Sequence, residues 1–339
     1  MTPVILRRIA RLVFTVWGAV TLVFFASRLV PADPAAIIAG PAADEAAVDA
    51  VRATYGLDEP LLVQYGGYLG RLLRGDFGRS TMSGREVAPE LAARFAATLE
   101  LVLFAVAVAI IAAVPLALRA TRRPGGVAAR LSGALTFAGT ALPAFLVGVA
   151  LLYLFYTRLG LAPAPLGRFP QSSGSIEPVT GLLVLDGLLR GRPAVSAAAL
   201  GHLLLPGLSL AASLLPQLVR VLRANTEQAL LLPATQAARR AGVSGLRLWG
   251  IYVLSPAVSP ALALLAASAG YLLGGAVVVE VMFSWNGLGS WAVAAVSSGD
   301  YNVVQGVVVA VSAAYALAYL LADVLSRIVD PRTRGVRHA

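Results

Sequence analysis

Few side chains of this 339-residue chain could carry out chemistry, and their spacing argues against catalysis. A serine hydrolase needs a serine and a histidine that meet in space. The only histidines are His202 and His338, and the serines that follow His202 at 209 and 213 lack the Gly-x-Ser-x-Gly turn that presents a nucleophile. We predict that the chain is not an enzyme, and an intramembrane enzyme is kept as an alternative class.

The composition removes further kinds of site. All 27 residues counted as Lys or Arg are arginine, so the chain has no lysine to complete a phosphate-binding Walker A loop. It has no cysteine, which excludes disulfides and thiolate ligands, and it lacks the ligand spacing of a zinc site. We therefore expect no catalytic residues, no metal site and no cofactor bound directly.

Glu100, Glu280 and Asp323 are the carboxylates that a secondary transporter could use for ion coupling. Such carriers bury ionisable groups in the middle of the membrane. Each of these three residues lies near the end of an apolar stretch, which favours snorkelling to the interface or capping of a loop. A secondary transporter is therefore a further alternative class.

The elements that must position these residues are apolar and long. Apolar residues make up 58% of the chain and charged residues 13%, far from the balance of a soluble protein. A membrane-spanning helix needs roughly 20 mostly apolar residues. We predict an all-α polytopic membrane protein with about six transmembrane helices. The expected spans are residues 9–30, 99–119, 131–157, 200–222, 256–282 and 303–326.

The arginines predict which side of the membrane each connection faces. They cluster before the first span, after the second and after the fourth, whereas the last external connection has Glu280 and Asp300 and no arginine. We expect a multi-pass protein of the cell membrane, in contact with lipid, with both termini in the cytoplasm. This topology explains the net charge of +10. Nucleic acid is not an expected partner, because no base-stacking aromatic pattern accompanies the arginines.

The connection after the fourth span contains the basic stretch Gln236-Ala-Ala-Arg-Arg-Ala-Gly242. Alanine favours helix, and Ala237 and Ala238 are small enough to let a partner surface approach closely. Gly242 supplies the permissive backbone that ends a helix. We interpret the stretch as a short cytoplasmic helix on which a separate motor protein docks.

The connection after the first span is expected to contain two amphipathic helices. Residues 43–55 have helical spacing, with Asp44 placed as an N-cap and Gly56 as a stop. Such helices lie on a membrane surface or pack over the mouth of a helix bundle. The second helix, residues 61–73, is predicted to place on one side Leu62, Tyr65, Leu69 and Leu72.

Several motifs resemble those of the permease subunits of bacterial ABC importers for dipeptides, oligopeptides and nickel. The motifs occur in the family's order along nearly the whole chain, which makes the resemblance specific. They are Ala32-Asp-Pro34, Tyr55-Gly-Leu-Asp-Glu-Pro60, Arg74-Gly-Asp-Phe-Gly-Arg-Ser80, Ala97-Thr-Leu-Glu-Leu101, Glu280-Val-Met-Phe-Ser-Trp-Asn-Gly-Leu-Gly289, Asp300-Tyr-Asn-Val-Val-Gln-Gly306 and Asp330-Pro-Arg332.

The resemblance implies the fold of a type I importer permease and one half of a translocation pathway, completed by a second homologous permease subunit. Two ABC ATPase subunits would bind on the cytoplasmic side and hydrolyse ATP, and an extracytoplasmic solute-binding protein would deliver the solute. A dipeptide or oligopeptide is the expected solute, and nickel or another metal complex is the alternative.

The resemblance also implies two sets of site residues. The ATPase-coupling loop, within residues 228–248 and followed by a distal proline, matches Gln236, Ala237, Ala238, Arg239, Arg240, Gly242 and Pro260. The family motif of the last external loop matches Glu280, Phe283, Trp285, Gly287, Gly289, Asp300 and Tyr301. The family usually has an acidic and an aromatic residue where this chain has Leu232-Pro233-Ala234, which would alter the contacts with the ATPase.

We predict three parts of the chain. Residues 1–98 contain the first transmembrane helix and the extracytoplasmic helical segment. Residues 99–330 form the transmembrane permease core with the coupling loop, and residues 331–339 form a cytoplasmic tail.

Overall fold

The computed structural model describes residues 2–29, 34–39, 43–168 and 177–329. Within these ranges the chain forms helices, and the only pairing of extended backbone there is an isolated bridge between Arg79 and Glu86. The all-α fold class is confirmed. The helices are α1 (Thr2–Leu29), α2 (Pro34–Ala39), α3 (Glu45–Tyr55), α4 (Leu61–Leu73), α5 (Val87–Arg122), α6 (Val127–Ala141), α7 (Ala144–Leu151), α8 (Leu183–Leu189), α9 (Pro193–Leu231), α10 (Pro233–Arg240), α11 (Gly245–Arg247), α12 (Ser255–Met282), α13 (Leu288–Ser298) and α14 (Tyr301–Val329).

Four helices of the described chain are long and apolar enough to cross a membrane, and they contain four of the expected spans. The first expected span lies in α1, where the apolar part, Leu12–Arg28, is shorter. The predicted tail 331–339, the motif Asp330–Arg332 and residues 32 and 33 lie outside the described residues. The four long helices are Val87–Arg122, Pro193–Leu231, Gly245–Met282 and Tyr301–Val329.

The third expected span, residues 131–157, is not a single helix. Helix α6 ends at Ala141, and α7 begins only after Pro143, whose backbone is extended with ψ 145°. A proline has no N–H to donate and disfavours helical backbone at the residue before it, which is why the helix breaks here. After α7 the chain continues as a π-helical segment, Leu152–Arg158.

The chain divides into two compact units. The first unit contains Met1–Ala96 and Gly287–Ala316, and the second contains Ala97–Asn286 and Leu317–Ala339. Helix α5 runs through the predicted boundary at 98/99 as one helix of 36 residues, about 54 Å long at 1.5 Å per residue. The division into three parts stays a prediction.

In the first unit, α4 packs against α1. Phe24 stacks on Tyr68 with ring centroids 5.3 Å apart, and the hydroxyls of Thr21 and Tyr65 lie 2.6 Å apart. Tyr65, Leu69 and Leu72 pack against this cluster as predicted. Leu62 lies on the same side of α4 but is 76% exposed, because the contact with α1 begins one turn later, at Tyr65.

Helix α3 also lies in the first unit, and it begins and ends as its sequence predicts. The side chain of Asp44 accepts a hydrogen bond from the N–H of Ala47 at 2.9 Å, as an N-cap does. Gly56 ends the helix in the left-handed conformation with φ 60°.

In the second unit, α5 presents a row of small residues to the core. Ala105, Ala109, Ala113 and Ala117 occur at every fourth position, and each is at most 1% exposed. They belong to one cluster with buried leucines of α9 and buried alanines of α12. Small side chains let apolar helices approach closely, which favours tight packing where water does not drive association.

Gly207 of α9 marks a close approach to α5, since a Cβ atom there would lie 2.2 Å from Cδ1 of Phe104. We expect Gly207→Ala to lower the midpoint of thermal unfolding in detergent, because overpacking a core costs about 1–3 kcal/mol. The matched control is Gly201→Ala on the same helix, where a Cβ would meet nothing within 4 Å. Its midpoint should stay unchanged or rise, and equal midpoints for the two variants would contradict the packing described.

Candidate functional site

The predicted docking stretch forms the short helix α10 and a turn that ends it. Pro233 occupies the first turn, where its missing N–H is not needed. The helix ends at Arg240, Gly242 takes the left-handed conformation with φ 79°, and the N–H of Val243 donates to the carbonyl of Ala238 at 3.0 Å. This is the glycine-terminated ending that the sequence predicts at Gly242.

The two faces of α10 differ. Thr235 and Ala238 are buried, and Thr235 Oγ1 donates to the carbonyl of Tyr252 at 3.2 Å, so this face packs on the π-helical segment Leu248–Leu254. Gln236 is half-buried, and its Nε2 donates to the carbonyl of Leu230 at 2.6 Å. The opposite face is open, and its exposed residues are Ala237, Arg239, Arg240, Ala241 and Gly242.

Two leucines near α10 add apolar area that the sequence analysis missed. Leu231 is 77% exposed just before the helix, and Leu246 is 89% exposed after its terminating turn. Single exposed leucines are ordinary, but here they flank an open helix face. Pro260 belongs to a different element, because it lies half-buried inside α12.

The segment that carries α10 also contacts the end of α5. The guanidinium carbon of Arg122 lies 4.4 Å from the ring centroid of Trp249, a cation–π contact. The buried hydroxyls of Thr121 and Thr226 lie 2.9 Å apart and join α5 to α9. Helix α10 therefore packs on a segment that contacts the last residues of α5.

At the other end of the second unit, Glu280 is buried inside α12. It is 0% exposed, and its Oε1 accepts a hydrogen bond from Thr98 Oγ1 at 2.5 Å. The expectation that Glu280 snorkels or caps an external loop was wrong, because α5 offers it a hydroxyl donor inside the protein. A buried carboxylate needs such partners to offset its loss of hydration.

Glu100 combines a buried ion pair with the capping of a helix. Its Oε2 lies 2.6 Å from a terminal nitrogen of Arg168, and its Oε1 accepts from the N–H of Val184, in the first turn of α8, at 2.8 Å. The capping part of the prediction holds, whereas snorkelling does not, since Glu100 is 6% exposed. Asp323 lies within α14, where its Oδ2 is 3.8 Å from Nε of Arg327, one turn away.

Residues 283–286 fold back on α5. The Nε1 of Trp285, which is 1% exposed, donates to the carbonyl of Ala97 at 2.9 Å. Ser284 and Asn286 have φ near +50°, which non-glycine residues rarely adopt and which makes the turn tight. Phe283 is 3% exposed, and its carbonyl accepts from the N–H of Gly167 at 3.2 Å.

Arg168 is the residue of this cluster that the sequence analysis did not single out. Besides Glu100 it binds the carbonyl of Gly181 at 2.8 Å, and its guanidinium carbon lies 5.9 Å from the ring centroid of Trp285. The sequence offered one arginine among several in a connection of mixed charge. Arg168 differs from the other arginines of this connection because it has a buried acidic partner, Glu100 of α5.

Asp186 orders the same connection. Its carboxylate accepts hydrogen bonds from the N–H groups of Val179, Thr180 and Gly181, at 3.3, 2.8 and 3.0 Å, and from Thr180 Oγ1 at 2.6 Å. Burial alone would raise the pKa of Asp186, but these bonds outweigh it and hold the pKa below its usual value. The carboxylate therefore stays ionised and keeps Gly181 in place beside Arg168.

The remaining motif residues lie in the first unit. The predicted last external loop is largely a helix, α13, with Gly287 as its N-cap and Gly289 buried within it. Asp300 is 1% exposed, and its Oδ2 accepts from Ser80 Oγ at 2.5 Å. Tyr301 is the first residue of α14, and Asp300 Oδ1 accepts from the N–H of Val303 at 3.3 Å, which caps that helix.

The structure thus brings the motifs together in pairs. Residues 97–101 meet residues 280–286 in the second unit, and residues 74–80 meet residues 300–306 in the first unit. The serines near His202 are occupied otherwise, since Ser209 Oγ donates to the carbonyl of Ala144 and Ser213 Oγ to that of Leu210.

Two family profiles match the chain. One, described as "Binding-protein-dependent transport system inner membrane component", matches residues 96–335. The other, described as "Binding-prot-dependent transport system membrane comp, N-term", matches residues 1–117. The chain belongs to this family of importer permeases.

Curated relatives agree with this assignment. The Escherichia coli (strain K12) protein named "Probable D,D-dipeptide transport system permease protein DdpB" is 36% identical over 321 residues, which cover 95% of this chain and 94% of that protein. The "Glutathione transport system permease protein GsiC" of the same strain is 33% identical over 344 residues, which cover 98% of this chain and 99% of the relative. GsiC of Salmonella paratyphi A is 34% identical with the same coverage.

The importer permease is therefore a multi-pass protein of the inner membrane and a subunit of a translocation pathway. Its family is one of transport proteins and not of enzymes, and works in general with a further permease, an ATPase and a binding protein.

The buried pair of Glu100 and Arg168 is testable by a double-mutant cycle. Glu100→Gln and Arg168→Gln should each lower the stability of the permease in detergent, because removing one partner of a buried pair costs about 3–5 kcal/mol. The double variant should lose clearly less than the sum of the single losses. Thermal unfolding measures all three.

The control for this cycle is the exposed pair of Arg190 and Glu177 in the same connection, 3.7 Å apart with side chains 45% and 91% exposed. Arg190→Gln should change the unfolding midpoint little, since exposed pairs contribute about 0–1 kcal/mol. Additive losses at Glu100 and Arg168 would contradict the pairing.

Proposed function

We propose that the permease forms one half of the pathway of an ATP-driven importer of short peptides and that α10 is the element on which an ATPase subunit docks. The assembly would contain a second homologous permease, two ATPase subunits and an extracytoplasmic binding protein. The open face of α10 is the observation that carries the proposal.

The chemistry of α10 fits a docking element. Its buried face is fixed by Thr235 and Ala238, so the helix is held rigidly, while small and cationic residues occupy the open face. Leu231 and Leu246 add exposed apolar area at either end, which a partner surface would cover. The proposed coupling site therefore consists of the predicted loop residues and these two leucines, and its distal proline, Pro260, lies within α12.

Three residues of the second predicted set, Glu280, Trp285 and Asp300, stabilise the permease and do not contact the solute. Glu280, Trp285 and Asp300 are each at most 1% exposed, and their polar atoms are used in bonds within the protein. A solute in an aqueous pathway would not reach them.

The arginine pattern supports an orientation with both termini and α10 in the cytoplasm. The names of the relatives support the solute class, since D,D-dipeptide and glutathione are both short peptides. They favour peptide over the nickel complex that the sequence motifs alone left open.

Purification tests the assembly. The tagged permease is extracted from its native host in a mild detergent, and the proteins that stay bound are identified by mass spectrometry. A second permease and one or two ATPase subunits should be recovered, and the associated binding protein should then bind dipeptides. A permease that purifies alone would contradict the proposal.

Gly242 tests the coupling role of α10. Gly242→Val places a β-branched residue at φ 79°, where left-handed backbone costs an L-residue about 1–2 kcal/mol, although no neighbour lies within 4 Å of the new Cβ. The turn should shift, and peptide transported per ATP hydrolysed should fall about tenfold, the equivalent of ~1.4 kcal/mol. Proteoliposomes that contain the whole importer provide both rates.

The control at the same position is Gly242→Asn, because asparagine tolerates left-handed backbone. It should keep most of the coupling, with the protein inserted in equal amount. Unchanged transport by the valine variant would refute the coupling role without touching the importer assignment.

A further inference from the structure

An arginine of each helix lies at one end of the contact between α1 and α4, a place that we call the crevice. Phe24 of α1 stacks on Tyr68 of α4, and the guanidinium carbon of Arg28 lies 5.4 Å from the ring centroid of Phe24. Arg28 lies one turn beyond Phe24, and Arg71 lies almost one turn beyond Tyr68. Both arginines therefore follow the stacked rings toward the same end of the contact between the two helices.

Two buried polar atoms of this crevice lack hydrogen-bond partners. The hydroxyl of Tyr68, a residue only 9% exposed, and the Nε of Arg28 are both buried without a hydrogen bond. Neither Arg28 nor Arg71 forms an ion pair with any acidic residue of the described chain. Buried donors without acceptors are unfavourable, and an anion bound beside the exposed Arg71 would supply acceptors for them.

The position of the crevice indicates where the anion comes from. Arg28 closes the apolar stretch Leu12–Arg28, which is about 26 Å long at 1.5 Å per residue and so approaches the ~30 Å hydrocarbon core of a bilayer. Arg28 therefore lies at the level of the lipid headgroups. Exposed apolar side chains occur along both helices, and these are Trp17, Leu22, Leu61, Leu62, Val63 and Leu73.

We propose that Arg28, Arg71 and Tyr68 bind the phosphate of an anionic phospholipid, whose acyl chains lie against the exposed apolar side chains of α1 and α4. The guanidinium groups and the phenol donate to the phosphate oxygens, and the lipid charge separates the two cations. Charge-assisted bonds of this kind are the strong ones at a protein surface.

Two properties favour an anionic over a zwitterionic lipid. A choline or ethanolamine headgroup carries a cation that two arginines would repel, whereas a glycerol headgroup carries none. Burial raises the pKa of Tyr68 to about 12, so its hydroxyl keeps its proton and remains a donor at physiological pH.

The test uses the permease purified with its partner subunits and placed in nanodiscs of phosphatidylcholine with or without phosphatidylglycerol. Native mass spectrometry counts the phosphatidylglycerol molecules retained after release. The double variant Arg28→Gln/Arg71→Gln and the variant Tyr68→Phe should each bind it at least about tenfold more weakly, since charge-assisted bonds are lost. Tyr68→Phe keeps the ring stack and so separates the bond from the packing.

Arg74→Gln is the matched control, because it removes an exposed charge one turn along from Arg71, at the end of the same helix. It should retain phosphatidylglycerol as the unmodified permease does. Retention by the double variant, or equal loss with Arg74→Gln, would overturn the proposal. So would displacement of the lipid by millimolar inorganic phosphate, since that would make the crevice a site for free anions.

Discussion

The hydrogen bond from Thr98 to the buried carboxylate of Glu280 is the constraint on which the second unit depends. A carboxylate at 0% exposure cannot remain there without donors, so α12 must keep its end against α5. Trp285 adds a bond to the carbonyl of Ala97 in the next turn of the chain, and Arg122 meets Trp249 at the other end. Helix α5 and the long helix Gly245–Met282 are thus an antiparallel pair held at both ends, with the alanine row of α5 packed into the core between them.

This arrangement suits a subunit that must transmit motion. The segment on which α10 packs is part of the long helix Gly245–Met282, which also carries Glu280. A displacement of α10 would therefore act on this helix and on α5. A rigid element with two alternative packings is the usual means of coupling between distant sites. The first unit uses the same chemistry independently, because the buried Asp300 accepts from Ser80 and caps α14. The motifs that identify the family are therefore mostly used in contacts within the protein, whereas the open face of α10 is small and exposed.

Local features could be predicted from the sequence, and those that depend on distant partners could not. The caps of α3 at Asp44 and Gly56 and the ending of α10 at Gly242 involve residues within one turn, so the local pattern specifies them. The burial of Glu280 depends on Thr98, which lies far from it in the sequence. Its position near the end of a predicted span suggested instead that its side chain reaches the membrane interface. For the same reason the sequence does not show where along α4 the contact with α1 begins, since α1 decides which residues of that side are covered. The break at Pro143 is a local effect that an apolar run conceals.

We propose that the open face of α10 meets the ATPase, and cysteine crosslinking can test this contact because the chain contains no cysteine of its own. Ala237 is exposed, whereas its neighbour Ala238 is 8% exposed. The two side chains therefore lie on different faces of α10 although the residues are adjacent in the chain. In the assembled importer, a thiol-to-amine crosslinker attached at Ala237→Cys should yield an adduct with an ATPase subunit, and one at Ala238→Cys should not. No adduct from Ala237→Cys, or equal adducts from both variants, would contradict a contact between the open face of α10 and the ATPase.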